Sequence, residues 1–382
     1  MTPLLDEPIA LASKKDCTGC MACLDSCHFN SIIVFEDSCG FRYPKINKDS
    51  CKKCGKCLKA CPILNYNKST KKLPTRCYAA KIQDQELIKG CTSGGLVTAL
   101  VKFYLSNKDI VFGAAFIENE GVKHIKIETL NDLQKLKGSK YIQSRMDGVY
   151  IMIKNVLKNT TKKVLYIGTP CQADAVKMMF PSERILTVSF ICGGVPSEKM
   201  YADYLIEKGV KYPHVKSILF RDKQTYLVKV NQGKGVFEEK RNESKYLQSY
   251  DDGFSIRQSC FNCKYCSRER PGDITVGDYW GIEKTLLKSA KEPNMSCILI
   301  NTDKSENLIK NLPTIFLEES NINDIAKQNF RIDSVRHTDR LTLQTFIFRL
   351  TYPLIGFCRA VKTTKTIARL IINKYTTKYL NN

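Results

Sequence analysis

Two copies of one cysteine spacing sit within residues 17–62 and constrain the chain more than any other feature. The first is Cys17-x-x-Cys20-x-x-Cys23-x-x-x-Cys27, and the second is Cys51-x-x-Cys54-x-x-Cys57-x-x-x-Cys61 followed by Pro62. This spacing holds 4Fe–4S clusters, and in two-cluster proteins the fourth cysteine of each run ligates the other cluster. Cys17, Cys20, Cys23 and Cys61 are therefore expected at one cluster, and Cys51, Cys54, Cys57 and Cys27 at the second, so neither half folds without the other. Zinc sites usually show two C-x-x-C pairs across a longer spacer. A secreted disulfide scaffold needs an export signal, and the opening MTPLLDEPIALASKK has no sustained apolar core. His28 follows Cys27 where the repeat would place a proline, which spares the ligands and alters the turn.

The remaining composition narrows the class. A chain of 382 residues with 43% apolar content is long enough for two or three domains. Eighteen cysteines without an export signal point to a reducing, cytoplasmic setting in which thiolates meet metal. No apolar run reaches transmembrane length. The four histidines, His28, His124, His214 and His337, show no paired ligand spacing, so histidine-metal catalysis is not expected. The net charge of +22 requires anionic company: cofactors, an acidic protein or an anionic membrane surface. Over residues 14–76 alone there are thirteen basic and five acidic side chains. Part of that charge offsets the clusters, and the surplus suits an acidic electron donor such as a ferredoxin. Nucleic acid is not expected, because the aromatic residues form no stacking motif.

Residues 65–75, NYNKSTKKLPT, read as a linker, and a second domain opens near Arg76. CYAAKI reads as a strand. Gly90-Cys91-Thr92-Ser93-Gly94-Gly95 then leads into LVTALVKFYLSN, whose apolar positions follow helical spacing. A Ser-Gly-Gly turn at a helix N-terminus offers backbone N–H groups to an anion such as a phosphate, although a capped helix with a glycine turn reads the same way. DIVFGAAFI and VKHIKIETL form a hairpin around Glu118–Gly121. Gly138-Ser139-Lys140-Tyr141-Ile142-Gln143-Ser144 is either a ligand-lining or an ordinary surface loop.

KVLYIGTP-Cys171 and RILTVSFI-Cys192 are buried-type strands separated by a helical stretch. A right-handed crossover makes such strands parallel and puts both cysteines at one carboxyl edge, where open α/β sheets bind ligands. Cys260-x-x-Cys263-x-x-Cys266 follows. Cys171, Cys192, Cys260 and Cys263 together supply four thiolates for a third 4Fe–4S cluster, with Cys266 as the substitute ligand and structural zinc as the alternative metal.

These motifs together resemble the beta subunit family of coenzyme F-420 hydrogenase/dehydrogenase, preceded by a ferredoxin-type module. The residues that carry the likeness are Thr92–Gly95, Gly138–Tyr141, Gly168-Thr169-Pro170-Cys171-Gln172, Cys192–Ser197, Phe220-Arg221-Asp222-Lys223, Cys260-x-x-Cys263 and Gly277-Asp278-Tyr279-Trp280-Gly281. Gly193 stands where a histidine is common in the family, and Cys266 is an added thiol. The likeness implies an α+β iron–sulfur domain over residues 1–75 and a mixed α/β flavin-binding domain over 76–330. It implies FAD held by Thr92, Ser93, Gly94, Gly95, Ser139, Lys140, Tyr141 and Gln143. Lys140, Arg221 and Lys223 are the expected anion- or ring-contacting catalytic residues. Residues 331–382 form a basic tail, with ten basic and two acidic side chains, that either lies on an anionic membrane or covers its own sheet.

The expected activity is an iron–sulfur flavoprotein oxidoreductase that passes electrons from clusters to FAD and on to a small organic acceptor. Relatives act on the deazaflavin coenzyme, on chlorophyll-type tetrapyrroles and, in bacteria, on unidentified acceptors, some of them linked to surface-polysaccharide synthesis, so the family leaves the acceptor open. The alternatives are an electron-transfer adaptor without substrate chemistry of its own, and a metal-stapled binding module.

Overall fold

The computed structural model describes residues 10–66, 71–222, 225–336 and 339–380. In the N-terminal lobe, strands β1 (Ile32–Glu36) and β2 (Arg42–Ile46) pair antiparallel, with Ile32 opposite Ile46. Single-turn helices at Ala22–Asp25 and Lys56–Lys59 carry Cys23 and Cys57. Beyond the lobe follow β3 (Arg76–Ile82), β4 (Ile110–Ile117), β5 (Gly121–Ile127), β6 (Val164–Gly168), β7 (Ile185–Phe190), β8 (Ser217–Asp222), β9 (Thr225–Asn231), β10 (Val236–Lys240), β11 (Ile274–Asp278), β12 (Ser296–Ile300) and β13 (Ile315–Ser320). One mixed sheet runs in the order β13-β3-β12-β11-β7-β6-β4-β5, and β10-β9-β8 form a separate antiparallel ribbon. The expected hairpin is β4 and β5, paired from Val111 opposite Ile127.

The centre of the large sheet is parallel: β4 beside β6, β6 beside β7, and β7 beside β11. Every residue of β6 is buried, as its uninterrupted apolar run Val-Leu-Tyr-Ile requires of a strand covered on both faces. The strand period of two divides that run. Leu165 and Ile167 pack with Leu96, Leu100 and Val101 of the helix Leu96–Ser106, while Val164 and Tyr166 pack with Tyr150 and Ile153 of the helix Val149–Asn159. The helix after β6 starts at Pro170, one residue before Cys171. Thr169 caps it reciprocally with Gln172, so Cys171 lies in its first turn.

The lobe is welded to the body. Cys20, Met21 and Ala22 share a buried cluster with Tyr150, Tyr166 and Ala173, and Phe41 and Tyr43 join a second cluster with Tyr201 and Phe348. The linker expected over residues 65–75 is corrected where it is described. Tyr66 donates to the Lys264 carbonyl at 2.8 Å, Lys71 is buried 3.4 Å from Asp174, and Lys72 bridges to Arg270. Polar composition misled because the body supplies the partners.

The tail folds as two helices, Asp339–Ile355 and Phe357–Leu380. Phe348, Tyr352 and Phe357 are buried against Tyr204, Tyr246 and Phe254. Each such ring contributes roughly 1.5–3 kcal/mol of burial, so the tail covers the protein's own body. Among the described residues, no helix is long and apolar enough to cross a membrane.

Candidate functional site

The doubled cysteine run imposes the same backbone twice. Gly19 and Lys53 occupy equivalent positions before the second cysteine of each run, and Met21 and Gly55 equivalent positions after it. All four have positive φ, 69°, 49°, 61° and 69° respectively. Two are glycine, which takes this conformation freely, and Met21 and Lys53 take it at a steric cost. The loops therefore curl alike and turn their sulfurs inward. Burial pushes the Cys20 thiol up to about 12, with the Cys17 and Cys61 thiols adding to the effect. Cys23 is likewise raised by burial and by Cys20, Cys17 and Cys61. Cys57 is raised by burial and by Cys27 and Cys51. Cys61 thus stands beside the first run and Cys27 beside the second, while Cys57 also acts on Cys23, so the two sets adjoin. Thiols crowded this closely ionise only beside a cationic centre, as iron provides.

The third set assembles at the carboxyl ends of the parallel strands. Cys171 follows β6, Cys192 follows β7 and accepts from the Gly194 N–H at 3.4 Å, and Cys260 and Cys263 come from the segment before β11. Burial raises Cys171, with Cys263, Cys192 and Cys20 as neighbours. Burial raises Cys260 to about 12, with Cys263 and Cys192 beside it. The four expected thiols are together, and Cys20 of the lobe is next to them. A hydrogen bond donated by the Cys263 thiol to the Cys266 sulfur raises Cys263 and lowers Cys266, so the fifth thiol stands at the same site. Among the described residues, no group of three or more His, Cys, Asp or Glu side chains is arranged to hold a single metal ion.

Two guanidiniums that carry no sequence signal flank this set. Arg331 donates to the Cys260 carbonyl at 3.3 Å, and the buried Arg270 donates to the Phe190 carbonyl at 3.0 Å and the Tyr265 carbonyl at 2.7 Å. Burial raises the Cys192 thiol, and the two charges oppose that rise in part; at Cys266 they add to the lowering that the Cys263 hydrogen bond produces.

Beside these thiols lies a cavity of about 350 Å³, within the ~300–1,000 Å³ range of cofactor and ligand pockets. Gly168, Phe190 and Gly277, at or near the ends of β6, β7 and β11, form its base. Cys171, Cys192, Cys260 and Cys263 line one part, and Thr92, Ser93, Gly95, Ser139, Lys140, Tyr141 and Gln143 line another. Thr92 and Ser139 join the two loops by a 3.2 Å hydroxyl contact. Gly94 stands behind the lining: a Cβ there would lie 2.3 Å from the Ala80 carbonyl oxygen. Its N–H is already donated to Ser296 Oγ at 2.9 Å, so it is not one of the free donors expected of the turn.

The expected catalytic residues divide three ways. Lys140 lines the cavity, but its ammonium donates to the carbonyls of Lys135, Leu136 and Lys137, closing the end of the helix Leu133–Leu136. Arg221 pairs with Asp278 at 2.6 Å and lies over Tyr226 and Trp280. Of these, Asp278 and Trp280 line the cavity. The pair ties the ribbon to the end of β11, so Arg221 reaches the site through its partner. Lys223 lies outside the described residues.

A buried polar chain runs along the cavity wall; sequence signalled only Gln172 in its motif and Ser144 at the end of its loop, and not His124. Gln172 donates to Ser144 Oγ at 3.2 Å, Ser144 Oγ stands 2.9 Å from His124 Nδ1, and His124 Nε2 stands 2.9 Å from the Ile167 carbonyl. Neutral imidazole satisfies both contacts by donating from Nε2 to the carbonyl and accepting at Nδ1. Burial pushes His124 down to about 4, and the Lys140 charge adds to that.

Comparison with known proteins agrees with this organisation. Residues 16–64 match the family model of the 4Fe-4S dicluster domain. Residues 77–150 match the model for the N-terminal part of the coenzyme F420 hydrogenase/dehydrogenase beta subunit, and residues 161–324 match the model for its C-terminal part. A coenzyme F420-dependent sulfite reductase of Methanocaldococcus jannaschii is 24% identical over 357 residues, 89% of this chain and 53% of the relative. The chain thus spans about half the length of that curated relative. The F420-reducing NiFe hydrogenase complex from Methanosarcina barkeri contains a chain that is 17% identical, with 82% of this chain and 96% of that chain covered and a TM-score of 0.46.

Proposed function

We propose that this chain, which belongs to the coenzyme F420 hydrogenase/dehydrogenase beta subunit family, is an iron–sulfur flavoprotein oxidoreductase. The lobe's cysteines and the third thiolate set would hold iron–sulfur clusters, and the loops across the cavity would hold FAD, which together would serve electron transfer from a ferredoxin or other acidic donor to a small organic acceptor. The observation that carries this reading is the cavity bordered by both the third thiolate set and the loops assigned to the flavin. An adaptor needs no such space beside its last cluster. FAD, when bound, lets one-electron supply become two-electron delivery.

The chain's own residues have definable tasks. The Thr92–Gly95 turn and the Ser139–Gln143 loop form the cradle, with Ser296 fixing Gly94 at its back. Tyr141, Tyr250 and Trp280 give the cavity aromatic surface suited to a planar ring. Asp278, held by Arg221, presents a carboxylate there. His124, neutral and fixed by Ser144 and Ile167, orients Ser144 and through it Gln172. The sulfite reductase relative is described as F420-dependent. That supports coenzyme F420 or a similar planar two-electron carrier as the acceptor ahead of a surface-polysaccharide intermediate.

The test is anaerobic turnover with a reduced low-potential donor and a panel of acceptors, before and after removal and restoration of flavin. Acceptor reduction that is lost and regained with flavin is expected. Electron passage to a partner enzyme without reduction of any small acceptor would establish the adaptor instead.

A further inference from the structure

The helix Asp339–Ile355 is apolar on two opposite faces. Leu341, Phe348 and Tyr352, at spacings of seven and four, face the body and are buried. Phe346, Leu350 and Leu354, each four residues apart, form a second stripe roughly opposite the first and are 66%, 60% and 78% exposed. The body accounts for the inner face. Among the described residues nothing covers the outer one, and a helix in contact with water alone would carry polar side chains there.

We infer that this outer face, with the helix that follows it, docks the protein on an anionic membrane surface. The charge selects the occupant. Residues 340–382 include no acidic side chain. In the helix Phe357–Leu380, Arg359, Lys362 and Arg369 are exposed, on the face opposite its buried Phe357, Ala360, Val361 and Ala368. The body's carboxylates Asp203, Glu207 and Asp252 meet Tyr352, the Phe357 N–H and Lys365, away from the outer stripe, and an apolar stripe beside a helix face whose charges are all basic is the pattern of helices that lie in the plane of a bilayer interface. A second copy of the chain would bring the same basic surface against itself. The helix is also the right object for in-plane binding: its 17 residues span about 25 Å, and it is not apolar enough to cross. It is anchored to the cavity wall. Arg349 donates to the Ile256 carbonyl at 3.2 Å, and Arg336, just before the helix, donates to the carbonyl of cavity-lining Tyr250 at 2.8 Å. The inference is independent of the proposed activity.

The experiment is vesicle flotation of the full chain, purified anaerobically. It compares neutral phosphatidylcholine vesicles with vesicles containing about one third phosphatidylglycerol, at low and high salt. Binding at least about tenfold stronger to the anionic vesicles, weakened by salt, is expected. The double variants Leu350→Gln/Leu354→Gln and Arg359→Gln/Lys362→Gln should each lose most of that binding with unchanged thermal unfolding, since all four side chains are exposed. Equal binding to both vesicle types, or binding insensitive to both variants, overturns the inference. So does a dimer in light scattering that disappears in Leu350→Gln/Leu354→Gln, which would assign the stripe to a second copy.

Discussion

Arg257 Nε donates to the Cys17 carbonyl at 2.8 Å, and its Nη2 lies 3.9 Å from the Cys17 sulfur. The guanidinium is fully buried, stacks over Tyr43 at 4.3 Å, and donates to Gln143 Oε1 at 3.0 Å and to the Arg42 carbonyl at 2.8 Å. One side chain of the body thus touches a ligand of the lobe and a residue of the cavity.

A buried positive charge beside a thiolate ligand favours the reduced, more negative state of a cluster. Arg257→Gln should lower the midpoint potential of the cluster held by Cys17, on the order of 60 mV for a tenfold change in one-electron equilibrium. Arg257→Lys should retain most of it. Spectroscopic redox titration reads both, and an unchanged potential in Arg257→Gln removes the assignment.

The left-handed residues of the two cysteine runs give a paired stability test. Lys53→Gly should stabilise the lobe by up to about 1 kcal/mol, because glycine takes a φ of 49° without steric cost. Gly19→Ala should destabilise by more than that gain, since its Cβ would stand 2.6 Å from an Arg257 nitrogen in addition to the strain. Denaturant unfolding under anaerobic conditions measures the difference, and equal effects would mean that the loops relax.

Gly94→Ala places its Cβ against backbone, 2.3 Å from the Ala80 oxygen and 2.9 Å from the Ser296 nitrogen, so no rotamer relieves the clash. The turn should shift, with loss of flavin retention and a few kcal/mol of stability. Ser296→Ala keeps the backbone path and should cost only about 1–3 kcal/mol for the unpaired Gly94 N–H. Flavin content per chain separates the two variants, and full flavin in Gly94→Ala would contradict the role of the turn.

His124 should make folding pH-sensitive. Burial lowers it from an ordinary 6.5 to about 4. Between those values the unfolded chain binds a proton that the folded chain does not. Stability is therefore fully present above pH 6.5 and falls as pH drops toward 4, by roughly 3 kcal/mol in all for a group this deeply buried. His124→Gln should flatten that part of the profile. A wild-type stability unchanged from pH 6.5 to 4.5 would mean that His124 is not held neutral.

The 4Fe–4S domain of residues 16–64 was legible because ligand spacing is short-range chemistry, written in consecutive residues. β6 and β7 were legible because a strand buried on both faces needs an unbroken apolar run, and the same reasoning put Cys171 and Cys192 at one edge. Arg257 and Arg270 were not legible, since a lone arginine has no pattern and only the tertiary fold shows it buried among carbonyls. Arg221 was singled out by its motif but assigned to the ligand. The ribbon that carries it, and its partner Asp278 some 57 residues on, appear only in three dimensions. The segment around Lys71 looked like a tether because its partners, Asp174 and Arg270, lie far away in sequence.

The most direct test of the account is the quantity of iron, acid-labile sulfide and extracted flavin per chain after anaerobic purification. Three four-iron clusters and one FAD predict about twelve iron, about twelve sulfide and about one flavin. About eight iron with no flavin, and none taken up on addition of FAD, would leave the cavity and the thiols of Cys171, Cys192, Cys260 and Cys263 without the role assigned to them.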